Sequence, residues 1–184
     1  MVSLNPPVCD FGWQAPQFDL PGVDGRNWTL SEIAGEKGLL VMFICNHCPY
    51  VQAILTRLVS DLAMLKTMGI NAVAISSNDV VNYPQDSFEK MKELSQTFNF
   101  GFPYLFDESQ LIAREYGAVC TPDFFGFNAK MELQYRGRFD NQGRDSKPKP
   151  DATKDLLEAM TLVAKTGKGP KDQIASIGCS IKWK

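Results

Sequence analysis

The chain has 184 residues, of which 44% are hydrophobic and 22% charged, and its formal net charge is −2. This length suits one domain with a full core, so we expect a single domain over residues 1–184. Interspersed charges without a basic excess argue against a nucleic-acid partner, and the lack of a long apolar run argues against a membrane partner.

The N-terminal residues 1–16 contain Pro6, Pro7 and Pro16 and are predicted to be irregular. They show no basic segment followed by an apolar core, which predicts no secretory signal and a cytoplasmic location. Residues 18–20 and 27–29 flank a turn-forming segment rich in glycine, aspartate and proline. We therefore predict a short β-hairpin there.

A buried strand is predicted over residues 38–44, because seven consecutive positions carry no charge and most are large and apolar. Apolar residues then repeat at helical spacing from Val51 to Leu65, and Gly69 ends that helix. Residues 70–76 are rich in branched side chains and predict a second buried strand.

In the second half, Asp86 with Glu89 fits a capping box for a helix over residues 88–98. Asp107 with Gln110 fits the cap of a short helix that ends near residue 117. A hairpin is predicted from residues 124–127 and 132–136, a polar loop over 140–150, and a last helix over 152–165 stopped by a glycine. The tail, residues 168–184, shows no clear period.

This order of strands and helices predicts an α/β protein with a mixed central sheet, helices on both of its faces and the first hairpin as an N-terminal extension. The chain also has an odd number of widely spaced cysteines, which argues against a structural disulfide framework. These are Cys9, Cys45, Cys48, Cys120 and Cys179.

The segment Cys45-Asn46-His47-Cys48-Pro49-Tyr50-Val51 lies where the first buried strand gives way to a helix. Unpaired N–H groups and the helix dipole favour an anion at a helix start, and the reactive form of cysteine is the thiolate. The alternative is that both cysteines are small buried hydrophobic residues. The histidine between them and the proline behind them favour a redox-active thiol site.

With thiols at this junction and Thr121-Pro122 just before the hairpin, the chain resembles the thioredoxin superfamily. That resemblance implies a cis Pro122 lying against the active thiol. Thr121 would then offer its backbone to an extended substrate peptide, a form of strand addition.

The chain is most similar to a peroxiredoxin-like branch of alkyl hydroperoxide reductase and thiol-specific antioxidant-like proteins. The segments that carry the similarity are Ala15-Pro16-Gln17-Phe18-Asp19-Leu20, Asn46-His47-Cys48-Pro49-Tyr50-Val51, Cys120-Thr121-Pro122-Asp123-Phe124-Phe125 and Gly178-Cys179-Ser180-Ile181-Lys182-Trp183. The similarity implies thiol redox chemistry without naming a substrate.

Two departures limit that similarity. The peroxidatic cysteine of peroxiredoxins would stand at Val51, with its threonine at Cys48, so the peroxidatic cysteine is missing. Thioredoxins bury an acid where this chain carries Met42. Arg136 and Arg138 fit either an anion site or an exposed strand end.

Two assignments of the thiol pair compete. In one, Cys45 attacks and Cys48 resolves the mixed disulfide. In the other, Cys48 stands where thioredoxins carry their first cysteine, and Pro49 at the first helical position makes Cys48 the N-cap. We favour Cys48 as nucleophile and Cys45 as resolving thiol.

His47, the one histidine of the chain, either promotes thiolate formation or is an exposed loop residue. Cys120 is either a third redox thiol or a small buried residue, and Cys179 is either a resolving thiol on a folded-back tail or incidental. We expect no metal and no cofactor, because copper handling would need a distant histidine and a closed zinc site needs four ligands.

These features predict a thiol–disulfide oxidoreductase that acts in redox homeostasis on a protein or small-molecule disulfide, with an unidentified thiol reductant. The alternatives are a thiol peroxidase with an antioxidant role, and a redox-sensing module without turnover.

Overall fold

The computed structural model describes residues 3–7, 9–145 and 149–184. Its strands are β1 (Ser3–Leu4), β2 (Asp19–Pro21), β3 (Asn27–Thr29), β4 (Gly38–Phe43), β5 (Ile70–Ser76), β6 (Tyr104–Phe106), β7 (Cys120–Thr121), β8 (Asp123–Asn128), β9 (Leu133–Tyr135) and β10 (Gly178–Ser180). Its helices are α1 (Leu30–Ile33), α2 (Pro49–Thr67), α3 (Phe88–Thr97), α4 (Leu111–Glu115) and α5 (Asp155–Thr166), with a 3-10 helix over Pro84–Asp86.

A five-stranded mixed sheet in the order β6-β5-β4-β8-β9 forms the centre. Its central strand β4 is buried along its whole length, parallel to β5 and antiparallel to β8. The register places Val41 between Val73 and Phe125. A strand covered on both faces needs apolar residues at every position, which explains the unbroken apolar run of β4.

Successive residues of β4 point to opposite faces of the sheet. Leu40 and Met42 pack into a cluster with residues of α2, α3 and α5, whereas Leu39, Val41 and Phe43 pack into a cluster with residues of α1, α4 and the first hairpin. Helices thus cover both faces of the sheet, and the α/β architecture with its N-terminal β2–β3 hairpin is confirmed.

Most long elements follow the sequence expectation closely. Helix α2 ends just before Gly69, β5 coincides with the expected 70–76, and Gly167 ends α5 with a left-handed φ of 73°. Strand β6 was not expected, because three residues are too few to show a period. None of the described helices is long and apolar enough to cross a membrane.

The capping box expected from Asp86 and Glu89 is wrong. Ser87 is the N-cap of α3, and Asp86 belongs to the preceding 3-10 helix. The side chain of Asp86 turns instead toward the loop between β4 and α2, where it accepts hydrogen bonds from the backbone N–H groups of Asn46 and His47. These more distant N–H groups replace the helix N-terminus as partners of the carboxylate.

The expectation that the side chains of Asp107 and Gln110 cap α4 is confirmed for Asp107 and wrong for Gln110. The carboxylate of Asp107 does accept a hydrogen bond from the N–H of Ala113 in α4. The Gln110 side chain, in contrast, donates to the carbonyls of Ser77 and Lys182. It therefore ties the tail to the body of the protein rather than capping α4.

Both chain ends contribute to a second sheet, of three strands in the order β1-β10-β7. Its register pairs Cys179 with Ser3 on one side and with Thr121 on the other. The segments expected to be irregular, 1–16 and 168–184, thus each supply a short strand. Part of segment 1–16 and part of the expected loop 140–150 lie outside the described residues.

Candidate active site

Cys48 is the N-cap residue of α2. It has an extended backbone, with φ −70° and ψ 121°, and Pro49 occupies the first helical turn. The Cys48 carbonyl accepts the first helical hydrogen bond from Gln52, at 2.9 Å. The capping position expected from Pro49 is therefore confirmed, and it places the Cys48 sulfur at the positive end of a 19-residue helix.

Cys45 and Cys48 lie together against Thr121, on the strand just before the β8–β9 hairpin. The Thr121 hydroxyl is 3.3 Å from the Cys45 sulfur, and the Thr121 carbonyl accepts a hydrogen bond from the Cys48 thiol at 3.0 Å. The Thr121–Pro122 peptide bond is cis, as expected. Both thiols are buried, with 1% and 0% of their surface exposed.

The two thiols share a proton unequally. A hydrogen bond from Cys45 and the nearby N–H of Cys179 lower the pKa of Cys48 to about 5, against the opposing effect of burial. The hydrogen bond to Cys48, burial and the charge of Asp86 raise the pKa of Cys45 well above its ordinary value. The Thr121 carbonyl accepts a hydrogen bond and so favours the protonated form of Cys48. The hydrogen-bond donors around this sulfur favour the thiolate, and their combined effect is larger. The geometry thus favours a Cys48 thiolate beside a Cys45 thiol.

His47 is held by a carboxylate. Its Nδ1 lies 2.6 Å from Asp86 Oδ2 and 4.0 Å from the Cys45 sulfur, and its ring stacks on Tyr83 at 5.8 Å. An ionised carboxylate only accepts hydrogen bonds, so Nδ1 carries the hydrogen and donates to Asp86. His47 is therefore an ordered, mostly buried residue, and it lies on the Cys45 side of the pair.

Asp86 and Asn46 are site residues that sequence reasoning missed. Asp86 Oδ1 accepts from the N–H groups of Asn46 and His47 at 2.8 and 3.1 Å, and Oδ2 also accepts from Asn78 at 2.8 Å. The Asn46 side chain accepts from the Tyr104 hydroxyl at 3.0 Å. A local sequence pattern carries no signal for contacts between residues so far apart in the chain.

Cys45, His47 and Asp86 are the one group of metal-ligand types that lie close together among the described residues. The sulfur, Nδ1 and a carboxylate oxygen are within 4.8 Å of one another. A closed zinc site takes four ligands, and the His47 nitrogen here donates to the carboxylate. Three residues are one ligand short of such a site, so the expectation of no metal stays a prediction.

The tail brings Cys179 against the pair, as its strand β10 pairs with β7. Burial and the neighbouring Cys48 raise the pKa of Cys179 to about 11, so this thiol stays protonated at neutral pH. Cys120 is also buried, its thiol donates to the Pro122 carbonyl at 3.5 Å, and burial raises its pKa strongly. Of the two, the structure places Cys179 beside Cys48.

In this structure the Thr121 backbone is paired within the protein, so its availability to a substrate stays a prediction. Residue Cys179 of the protein's own tail occupies the position opposite Thr121. The Thr121 carbonyl also accepts from Cys48. The tail strand thus takes the place that an added substrate strand would need.

Of the two alternatives for Arg136, an anion site or an exposed strand end, the exposed strand end is wrong. Its guanidinium is buried, donates to Asp123 at 3.2 Å and to the Gly117 carbonyl at 2.7 Å, and lies over the Phe125 ring. Arg138 pairs with Asp155. Both guanidinium groups are thus engaged by carboxylates outside the thiol pair.

The AhpC/TSA family pattern matches residues 11–139. An uncharacterized conserved protein from Geobacillus kaustophilus is 38% identical, over 100% of this chain and 97% of its own, with a TM-score of 0.93. A hypothetical protein from Sinorhizobium meliloti 1021 is 37% identical, over 98% of each chain, with a TM-score of 0.88. Among curated proteins, none matches this chain.

More distant structures share the fold alone. Peroxidoxin BcpB from Mycobacterium tuberculosis is 13% identical, over 84% of this chain and 96% of its own, with a TM-score of 0.62. A secreted disulfide oxidoreductase from the same organism is 17% identical, over 79% and 94%, with a TM-score of 0.58. The chain has a thioredoxin-like fold, and its family match supports an enzyme of redox type. It belongs to the AhpC/TSA family.

Proposed function

We propose that this protein is a thiol–disulfide oxidoreductase in which Cys48 attacks and Cys45 resolves. The observation that carries the proposal is the adjacent thiol pair at the start of α2, in which hydrogen bonding lowers the pKa of one thiol and raises that of the other. A thiolate at neutral pH next to a protonated partner is the arrangement that two-step exchange requires.

The reaction balances as two exchanges. The Cys48 thiolate attacks one sulfur of a substrate R–S–S–R′, which forms a Cys48–S–S–R mixed disulfide and releases R′–S⁻. Cys45 gives its proton to that leaving thiolate or to solvent and attacks the Cys48 sulfur, which forms a Cys45–Cys48 disulfide and releases R–S⁻. The substrate gains two electrons, and an external thiol reductant returns them to the protein.

Access to the pair is part of the proposal. Both sulfurs are buried, and β10 lies against β7 at the site. A protein or small-molecule disulfide therefore reaches Cys48 only when this tail strand moves. Thr121 and Pro122 would then contact the substrate, with the Thr121 backbone released for strand addition.

A thiol peroxidase is the second candidate, and the placement of Cys179 favours it. The Cys48 thiolate would attack a hydroperoxide ROOH, giving Cys48 sulfenic acid and ROH after proton uptake. The thiol of Cys45 or Cys179 would then form a disulfide with Cys48 and release water. Peroxide consumption without insulin reduction would establish this function, and failure of both assays would leave a redox-sensing role.

Trapping variants test the proposed roles. Cys48→Ser should abolish exchange, because no thiolate then meets the helix N-terminus, and Cys45→Ser should accumulate a mixed disulfide with substrate, detected by mass spectrometry. Cys120→Ser serves as the matched control. The opposite pattern would make Cys45 the nucleophile. Equal partial loss in both variants would point to Cys179, or to Cys120 if the Cys120→Ser control also loses activity.

The physiological setting of the proposal is cell redox homeostasis in a reducing compartment such as the cytoplasm. Five cysteines that form no disulfide among the described residues suit such a compartment.

A further inference from the structure

A buried carboxylate lies beside one member of the thiol pair. Asp86 is 0% exposed, and four N–H groups, from Asn46, His47 (backbone and ring) and Asn78, point at its two oxygens. An ionised carboxylate accepts all four. The chain thus holds an anion inside the protein at the point where β4 leads into α2.

This anion is placed asymmetrically with respect to the two sulfurs. A carboxylate oxygen of Asp86 and the Cys45 sulfur lie within 4.8 Å of each other. The Asp86 charge is among the main effects that raise the pKa of Cys45, and it is not among those that shift the pKa of Cys48. Cys48 lies instead against the carbonyl of Thr121 and the tail strand. Because Coulomb repulsion grows as distance and dielectric constant fall, an anion on Cys45 meets a larger penalty from Asp86 than an anion on Cys48.

The Asp86 charge raises the pKa of Cys45 in the presence of the other ionisable groups that surround this thiol. They are the thiol of Cys48 at the N-cap of α2, the ring of His47, and the hydroxyl of Tyr104 on β6. Lys182 lies farther out on the His47 side, with its ammonium 5.7 Å from the centre of the Tyr83 ring on which His47 stacks.

We propose that Asp86 is a positioning residue that selects Cys48 as the attacking thiol, by keeping the shared proton of the pair on Cys45. The inference rests on the proposed thiol redox function and deepens it, since it names the group that decides which of two neighbouring sulfurs attacks. The same carboxylate fixes the orientation of His47 and of the loop between the two cysteines.

Limited alkylation with iodoacetamide at neutral pH tests the selection, with the labelled cysteine identified by peptide mass spectrometry. The wild-type protein should carry the label at Cys48 in at least about tenfold excess over Cys45, since one unit of pKa is a factor of ten. Asp86→Asn should raise the ratio of Cys45 to Cys48 label at least about tenfold. A wild-type label mainly on Cys45 would overturn the proposal without any variant.

Asp107→Asn is the matched control. Asp107 is likewise 0% exposed and hydrogen-bonded, to Ser77 and Ala113, but it belongs to the turn after β6. Its substitution should destabilise the fold without changing the label ratio. A shift of the ratio in both variants, or in neither, would mean that Asp86 only supports the loop.

A second measurement tests the effect of the Asp86 charge on Cys45 without the contribution of Cys48. In a Cys48→Ser background Cys45 titrates without its partner, and Asp86→Asn should lower the pH midpoint of Cys45 alkylation by about one unit or more. Asp86→Ser, which keeps an acceptor for the N–H of Asn46, replaces Asp86→Asn if the latter does not fold. An unchanged midpoint would overturn the role of Asp86.

Alkylation needs no disulfide substrate, so the two proposals fail separately. An unchanged label ratio with intact exchange would overturn the role of Asp86 alone. Normal labelling of Cys48 without turnover on disulfides or peroxides would overturn the enzymatic function alone.

Discussion

At the residue scale, the chemistry depends on a thiol that is easier to ionise in the folded protein than in the unfolded chain. The folded pKa of Cys48 is lowered to about 5, whereas a cysteine in an unfolded chain titrates near about 8.5. A group with a depressed folded pKa stabilises the fold above its unfolded pKa, and that stabilisation is lost as the pH falls through the folded value.

We therefore expect the free energy of unfolding of the wild type, relative to Cys48→Ser, to increase from about pH 5 to about pH 8.5. The slope should approach about 1.4 kcal/mol per pH unit, because one proton is released on folding over that range. Denaturant unfolding at a series of pH values measures this difference, in which the contributions of distant carboxylates cancel. A difference that stays constant over this range would show that Cys48 is not ionised in the folded protein.

The sequence predicted the position of Cys48 and, through its resemblance to thioredoxins, the cis bond at Thr121-Pro122, but it did not predict the role of Asp86. Pro49 is a local signal, because proline suits the first helical turn, and it correctly marked Cys48 as the N-cap. Asp86 also fitted a local pattern, a capping box with Glu89, but the helix cap predicted from that pattern was wrong. Its actual backbone partner, Asn46, is 40 residues away, so only the folded chain reveals the contact.

At the element scale, the long strands and helices were predicted more accurately than the short ones. Strand β4, helix α2 and strand β5 are long enough to show their periods, and their bounds agree with expectation within a few residues. Strands β1, β7 and β10 have two or three residues each and show none. Those short strands cover the thiol pair. The burial of the two thiols could therefore not be predicted from the sequence.

Gly178 lets the tail strand β10 lie on β7. A Cβ atom at this position would be 2.2 Å from the carbonyl oxygen of Thr121, the same oxygen that accepts from Cys48. Backbone atoms cannot move aside as a flexible side chain can, so Gly178→Ala should displace β10. Overpacking costs about 1–3 kcal/mol, and we expect the alkylation rate of Cys48 to rise about tenfold or more.

Gly169→Ala controls for general destabilisation in that experiment. A Cβ there would be 1.9 Å from the Gln134 carbonyl oxygen, an equally severe clash outside the thiol pair. The control should lower the melting temperature without speeding alkylation of Cys48. Equal acceleration in both variants would mean that the site opens only when the whole protein unfolds.

At the scale of the whole molecule, the site lies between two sheets of unequal size. The five-stranded sheet has an apolar cluster on each face, whereas the three-stranded sheet joins both chain ends to β7. Cys48 is fixed to the large sheet through α2 and is covered by the small one. We therefore expect that separation of β10 from β7 exposes the thiols while the central core remains folded.

Native-state hydrogen exchange tests this separation. Amides of β4 are paired on both sides within the core, so they should exchange only through global unfolding, with a steep dependence on denaturant. Amides of β10 should exchange through a local opening with a smaller free energy and little dependence on denaturant. The free energy of that opening should match the one obtained from the alkylation rate of Cys48, since the same movement exposes both. If the amides of β10 and β4 exchanged with one common free energy, the tail strand would be an integral part of the core, and substrate would have to reach Cys48 by another path.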